Sequence, residues 1–434
     1  MARGHRAAVT DARDAVGAVW RIESARIVGA LARYTGDVAL AEDLAQEALA
    51  AALVAWPRDG VPRSPAGWLL TVGRRRAIDT FRRRSALDAR HAMLAKELGT
   101  GGRGPAGETS LPDPTTTDLL ADPDRIDDDV LALLFIACHP LLTADARVAL
   151  TLRVVAGLAS DEIARAFLVP TATVQARITR AKKTLAAAQV PFEVPPAAER
   201  RERMGSVLSV VYVIFTEGST ATSGHELIRP DLAHEAIRLT RVLAYHAPDE
   251  PEVHGLLALL ELTAARFSAR TGPDGLPVLL EDQDRRRWDR SAIRRGRAAL
   301  GRATQAGHGL GPYGLQAAIA ECHAIAPSFD DTDWDRILLL YEALAQVAPS
   351  PVVDLNRAVA VAMACGPEEA LGHVDRLVAT GHFSGSHLLP SVHGELLLRL
   401  GRNEEARTEL ARAVQLCRND RERALLERKL DDIP

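Results

Sequence analysis

Apolar residues recur along this chain at helical intervals of three and four, and nowhere as a run of alternating β-branched residues. The most informative stretch is residues 142–185, LTADARVALTLRVVAGLASDEIARAFLVPTATVQARITRAKKTL. Ser160 is placed to cap a helix over Asp161 to Phe167 with Ile163 and Phe167 on one face, and Val169-Pro170 then breaks the run. A second helix restarts at Thr171, and its Val174, Ile178, Ala181 and Leu185 fall on one inward stripe. The same spacing turns Ala172, Gln175, Ala176, Thr179, Arg180 and Lys183 outward, a set of small, amide and basic side chains suited to base edges and phosphates in a major groove. An ordinary solvated face in an all-helical bundle is the alternative that periodicity leaves open.

Upstream, residues 14–98 read as helices around one Pro/Gly loop. Asp37 is placed to cap a helix through Ala55 whose inward stripe is Leu44, Ala48, Ala51 and Ala55, with Asp43, Gln46 and Glu47 opposite. The loop Trp56 to Gly67 contains Pro57, Pro62 and Pro65. After it comes WLLTVGRRRAIDTFRRR, with six arginines between Arg74 and Arg84. Leu69, Val72, Ile78 and Phe81 are expected to face the core while the arginines fan over the remainder. Such like-charge crowding favours a polyanion that releases counterions, and nucleic acid is the obvious one; a merely solvated arginine face is the lesser alternative. Gly99 to Asp129 is acidic and rich in Gly, Pro and Thr, and is expected to be a flexible tether.

Beyond residue 190 helical patterns continue at Met204 to Phe215, Asp231 to Tyr245, Pro251 to Arg266, Arg290 to Ala306, Gly314 to Ala326, Trp334 to Val347, Val352 to Ala364, Pro367 to Ala379, Leu388 to Leu400 and Asn403 to Cys417. GPEEA at Gly366 echoes GRNEEA at Gly401, placing Ala370 and Ala406 at a spacing near the tetratricopeptide period of about 34 residues. One hydrophilic stretch, Thr271 to Ile293, interrupts the pattern; its Asp282, Asp284, Arg285 and Arg287 are expected to cap and pair around Trp288 rather than to catalyse.

Composition supports helices: apolar residues make up 47% of the 434 but aromatics only 4%, so the cores must be built from Ala, Leu and Val. The net charge of -4 hides a segregation. Residues 1–98 carry 16 basic and 11 acidic side chains, 99–129 carry 2 and 8, and 130–190 carry 7 and 3, which leaves an acidic second half. Cys138-His139 and Cys322-His323 lack a second pair at ligand spacing, so no metal or cofactor is expected. No leader-like or 18-residue apolar run occurs, which points to a cytoplasmic protein without membrane contact.

Residues 142–185 resemble region 4 of the extracytoplasmic-function sigma factors, through Leu142, Arg147, Leu152, Arg153, Gly157, Leu158, Glu162, Ile163, Ala164, Val169, Pro170, Val174, Arg177, Ile178 and Arg180; Leu168 stands where many members have Gly. AEDLAQEAL resembles the region 2 segment "D-A-E-D-L-x-Q-E", which implies that Asp43, Gln46 and Glu47 dock on the clamp helices of the RNA polymerase largest subunit. The arginine stretch resembles "P-x-x-W-L-x-x-I-A-x-N-x-x-I-D-x-x-R-R", the part of region 2 that opens the promoter -10 element, with Arg75 in place of the usual Asn. The whole chain after about Val16 resembles the group whose members carry a C-terminal helical extension, including "D-D-x-L-x-L-x-F-x-x-C-H-P" at Asp128 to Pro140 and "L-x-D-Q-D-R-x-x-W" at Leu280 to Trp288.

The resemblance implies an all-α protein: sigma region 2 at residues 14–98, an acidic linker at 99–129, the region 4 helix-turn-helix at 130–190 and a tetratricopeptide-like extension at 191–434. It implies a non-enzymatic initiation factor with no cofactor, whose partners are RNA polymerase core and promoter DNA. The -10 element falls to Trp68, Arg74, Arg75, Arg76, Arg82, Arg83 and Arg84, and the -35 element to Thr171, Ala172, Gln175, Ala176, Arg177, Thr179, Arg180 and Lys183. The extension is expected to touch and modulate the sigma domains in place of a separate anti-sigma protein. The alternatives are a conventional helix-turn-helix regulator with a sensor domain, and a repeat scaffold with incidental basic segments.

Overall fold

The computed structural model describes residues 2–97, 123–167, 169–220, 228–273, 275–307 and 309–433. Among these there are eighteen α-helices and no β-strand, only an isolated bridge between Thr271 and Pro277. The chain divides into two compact units, residues 1–165 with 169–210, and residues 211–434 with 166–168. The first part comprises α1 (Ala2–Thr35), α2 (Val38–Asp59), α3 (Pro65–Glu97), α4 (Pro123–Ala137), α5 (Ala144–Val154), α6 (Ser160–Phe167) and α7 (Thr171–Ala187). Then follow α8 (Ala197–Ser219), α9 (Pro230–His246), α10 (Pro251–Ala264), α11 (Arg290–Gln305), α12 (Pro312–Ile325), α13 (Trp334–Val347), α14 (Pro351–Ala364), α15 (Pro367–Thr380), α16 (Leu388–Arg399), α17 (Asn403–Leu416) and α18 (Asp420–Asp431).

In the first unit α1 is the central post, packing on α2, α3 and α4. Asp37 caps α2 as its sequence suggests, its carboxylate accepting from the N–H groups of Ala39 at 2.8 Å and Leu40 at 3.1 Å. The buried stripe of α2 is Ala41, Leu44, Ala45, Ala48, Ala52 and Trp56, so it drifts by one residue from the expected Ala51 and Ala55. Burying Trp56 carries the helix on through Pro57 to Asp59, four residues into the expected loop. Helix α4 begins at Pro123, inside the segment expected to be a tether; Gly99 to Asp122 lie outside the described residues. Its Val130 to Ala137 are all buried, which no one-faced helix could achieve. Between α5 and α6 the chain turns at Gly157, whose φ of +69° and close approach to Ser24 of α1 both exclude a side chain; a Cβ there would lie 2.4 Å from Ser24 Oγ.

In the second unit each helix from α9 to α18 packs on its successor or next neighbour. The sequence echo falls on equivalent positions: α15 and α17 start at Pro367 and Asn403, and Ala370 and Ala406 are both completely buried. Within the hydrophilic stretch, Leu280–Asp282 and Arg285–Arg287 form two short 3-10 turns ahead of α11. Asp289 caps α11 through the N–H groups of Ser291 and Ala292, while Asp284 accepts from Arg286 N–H. Trp288 is buried with the guanidinium groups of Arg266 and Arg285 over its ring at 5.4 and 4.8 Å. Arg285 also donates to the carbonyls of His323 and Ala326 at the end of α12. Helix α18, rich in charge and burying only Leu426, was not expected.

Helices α8 and α9 meet at Gly218, where a Cβ would lie 2.5 Å from the backbone nitrogen of Ala233 and 2.9 Å from its Cα. Backbone cannot rotate away as a side chain can. Gly218→Ala should therefore destabilise the protein by about 1–3 kcal/mol, read from urea unfolding; an unchanged midpoint would show that the two helices separate freely.

Candidate nucleic-acid and protein interfaces

Helix α7 places its four inward residues as its spacing requires: Val174, Ile178, Ala181 and Leu185 are buried. Thr171, Ala172, Gln175, Ala176, Thr179, Arg180 and Lys183 are all exposed and share the outward arc. Arg177 departs from them. It is half-buried, and its guanidinium pairs with Asp145 of α5 at 2.6 Å, so it braces α7 against α5 rather than facing outward. Helix α6 begins one residue before the expected start; Glu162 accepts from the N–H of Ala159 at 2.8 Å, so the cap is Ala159 with the Glu162 carboxylate reaching back, not Ser160. Leu168, the departure at the turn, lies outside the described residues.

The arginine stripe of α3 is split by the structure. Arg75, Arg82, Arg83 and Arg84 are exposed. Arg74 is not: it is 4% exposed, lies over the Tyr34 ring at 5.5 Å, and its three guanidinium nitrogens have no hydrogen-bond partner among the described residues. Burial, opposed by Tyr34 and reinforced by Arg33, holds its pKa below the ordinary arginine value. The reason is geometric. The inward arc of α3 is Leu69, Leu70, Gly73, Arg74 and Ala77, one position round from the expected Leu69, Val72, Ile78 and Phe81, of which only Leu69 is fully buried. Trp68 is half-buried and meets Trp56 edge-on, with ring centroids 5.7 Å apart and an interplanar angle of 71°.

The acidic face of α2 is assembled as expected, with Asp43 and Glu47 exposed and Gln46 half-buried between them. Both carboxylates, however, already hold cations from the same unit. Arg76 Nη1 lies 2.5 Å from Glu47 Oε2, and Lys182 Nζ of α7 donates to Asp43 Oδ1 at 2.9 Å. Lys182 also donates to Glu42, a carboxylate of 4% side-chain exposure that receives Arg153 Nε of α5 at 2.8 Å. Burial alone would raise the Glu42 pKa; Lys182 and then Arg153 overcome it and hold the carboxyl below the ordinary glutamate value. Two further contacts tie α1 to the α5–α6 turn and α6: Trp20 Nε1 donates to Gly157 O at 2.8 Å, and Arg21 pairs with Glu162 at 3.5 Å. Glu42 and Lys182 were missed in the sequence, and the signal was faint: each is a charge one position from a buried alanine, Ala41 and Ala181.

Cys138 is buried with its thiol pushed up to about 12 by burial, and Cys322 is buried in an apolar cluster. Elsewhere among the described residues His387, Cys417 and Glu422 bring ligand atoms within 4.8 Å of one another, with His387 Nε2 and Glu422 Oε2 3.4 Å apart. Among the described residues no helix is long and apolar enough to cross a membrane.

Comparison with known proteins agrees with the two-part layout of the first unit. Residues 21–87 match the sigma-70 region 2 family and residues 132–185 match the sigma-70, region 4 family. Residues 203–304 match a family of unknown function, DUF6596. The chain is 44% identical over 419 residues to the uncharacterized protein R00370 of Rhizobium meliloti, covering 94% of this chain and 93% of that one. It is 29% identical over 187 residues to the probable ECF RNA polymerase sigma factor SigI of Mycobacterium tuberculosis, covering 43% of this chain and 60% of SigI. No solved structure matches. The two sigma-70 regions, present in order, and the likeness to SigI support an extracytoplasmic-function-like sigma factor, and the chain belongs to one family with the Rhizobium meliloti protein, to which it aligns over 94% of its length.

Proposed function

We propose that this protein directs promoter-specific initiation by binding RNA polymerase core through Asp43, Gln46 and Glu47 of α2. It opens the -10 element with Trp68 and the exposed arginines of α3, and reads the -35 element with the outward arc of α7. It performs no chemistry itself and needs no cofactor; the polymerase makes the RNA. Arg74 is left out of the DNA contacts because it is buried, and Arg177 acts on DNA only by fixing the angle of α7. The observation that carries the reading is the presence, on one chain and in order, of two sigma-70 regions, the second with a continuous exposed arc of amide, hydroxyl and basic side chains.

Helices α8 to α18 modulate that activity. What supports this is covalent: the Rhizobium meliloti relative aligns over 93% of its length, so sigma regions and extension occur together in both chains. A rival, conventional duplex-binding regulator leaves the α2 face without a purpose.

Run-off transcription with purified core polymerase should give promoter-specific transcripts with the full-length protein. Tight duplex binding without polymerase, and no transcripts with it, would favour the rival. The sign of the extension's effect should be read with a chain ending at Thr220, because a cut at the expected boundary near residue 190 would remove Ser206, which accepts from Arg147 at 2.8 Å and donates to Cys138 O at 3.0 Å.

Two substitutions test the surfaces. Arg180→Ala should cost about 1–3 kcal/mol at the -35 half-site where the side chain reads a base, or lower the salt slope by about one where it holds a phosphate; neither change would remove Arg180 from the interface. Asp43→Arg should weaken core binding while the helical content stays intact, and unchanged affinity would rule out the docking face.

A further inference from the structure

The face assigned to polymerase docking is occupied from within the molecule. Lys182 leaves α7 on the edge away from the exposed arc and lies against α2, with only 15% of its side chain exposed. It bridges Glu42, which is buried, and Asp43, which is 67% exposed. Asp43 therefore stands at the boundary between the internal ion pair and solvent, where an incoming cation can reach it.

Three features make this contact suited to exchange. Glu42 keeps the Arg153 guanidinium when Lys182 leaves, so the buried charge is never left without a cation. The packing beside Lys182 is incomplete: a hollow of about 280 Å³ is lined by Gly36 to Ala39, Leu150, Lys182 and Leu185. The apolar attachment between the two sigma regions is carried by the buried Val130 to Ala137 of α4 packing with α1, a run of which Ile136 alone also lines the hollow. Lys182 has four rotatable bonds and can swing into the hollow or into solvent while α4 stays seated.

We infer that Lys182 is an internal competitor for the carboxylates of α2, so that polymerase core docks by displacing the Lys182 ammonium with a basic group of its own. This rests on the docking role proposed above and adds its regulation. The closed form blocks one surface and spares the other: the arc from Thr171 to Lys183 remains exposed while Asp43 is engaged. DNA reading and core docking are then separately controlled, although both involve α7.

The full-length protein allows two tests. Carbodiimide condenses an ammonium with a carboxylate to an amide with loss of water, and should join Lys182 to Asp43 or Glu42 in a peptide pair identified by mass spectrometry. Saturation with core polymerase beforehand should suppress that product; a yield unaffected by bound polymerase overturns the inference. Secondly, Lys182→Gln should bind core about threefold to tenfold more tightly than the unaltered protein, a gain that shrinks as salt rises. Equal or weaker binding by the variant overturns the inference alone. Absence of core binding by both proteins removes the sigma reading as well.

Discussion

A glutamate placed where water cannot reach it must be met by cations, and Glu42 sets that condition for the whole first unit. A lone buried carboxylate would cost several kcal/mol, and the structure resolves this by drawing in Arg153 from α5 and Lys182 from α7. Those two residues belong to different helices of region 4, and Glu42 belongs to region 2. One buried charge therefore fixes the register between α2 and α5 through the Arg153 guanidinium and draws α7 to the same point through Lys182, in a way that interchangeable Ala and Leu contacts do not. Apolar burial by α4 supplies adhesion in the same unit; the ion cluster supplies specificity.

The contrast between α7 and α3 shows what the sequence made legible. In α7 every apolar residue on the stripe is separated from its neighbours by polar ones, so the 3.6-residue period has a single solution, and the inward and outward faces fall where the spacing puts them. In α3 two solutions compete, because Leu69 and Leu70 are adjacent and Gly73 carries no hydropathy signal. A reading by apolar residues alone selects Val72, Ile78 and Phe81. The structure selects the arc through Gly73, where a Cβ would lie 2.8 Å from Leu31, and close approach of α1 and α3 carries Arg74 inside with it. Arginine tolerates this because its flat cation rests on the Tyr34 ring.

The missed elements share a physical cause. Helix α18 is DRERALLERKLD, which shows almost no apolar face; it is held by Leu426 and by pairs such as Lys429 Nζ to Glu395 at 2.6 Å, partners supplied by tertiary structure. The start of α4 lies within an acidic run whose composition resembles a linker, yet Asp129 is buried and paired with Arg33 of α1 at 3.2 Å. Glu42 was hidden in the same way inside the AEDLAQE pattern, between Ala41 and Asp43. Charge in a sequence reports solvation only when no cation is waiting across the fold, and local periodicity has no access to that information.

This bears on how such a protein can be both stable and switchable. Cores of Ala, Leu and Val hold helices together by area, which is not readily exchanged with a partner of different shape. Ion pairs at the margin of the core are exchangeable, since one ammonium or guanidinium replaces another at small net cost. Lys182 lies at that margin, its chain largely covered and its partner Asp43 largely exposed. Arg153 is covered to a similar degree and stays, because its guanidinium also donates to the Leu158 carbonyl at 3.3 Å. Dividing the neutralisation of Glu42 between a fixed guanidinium and a mobile ammonium lets the unit keep its register while the acidic face changes hands, and it does so without altering the exposed arc of α7.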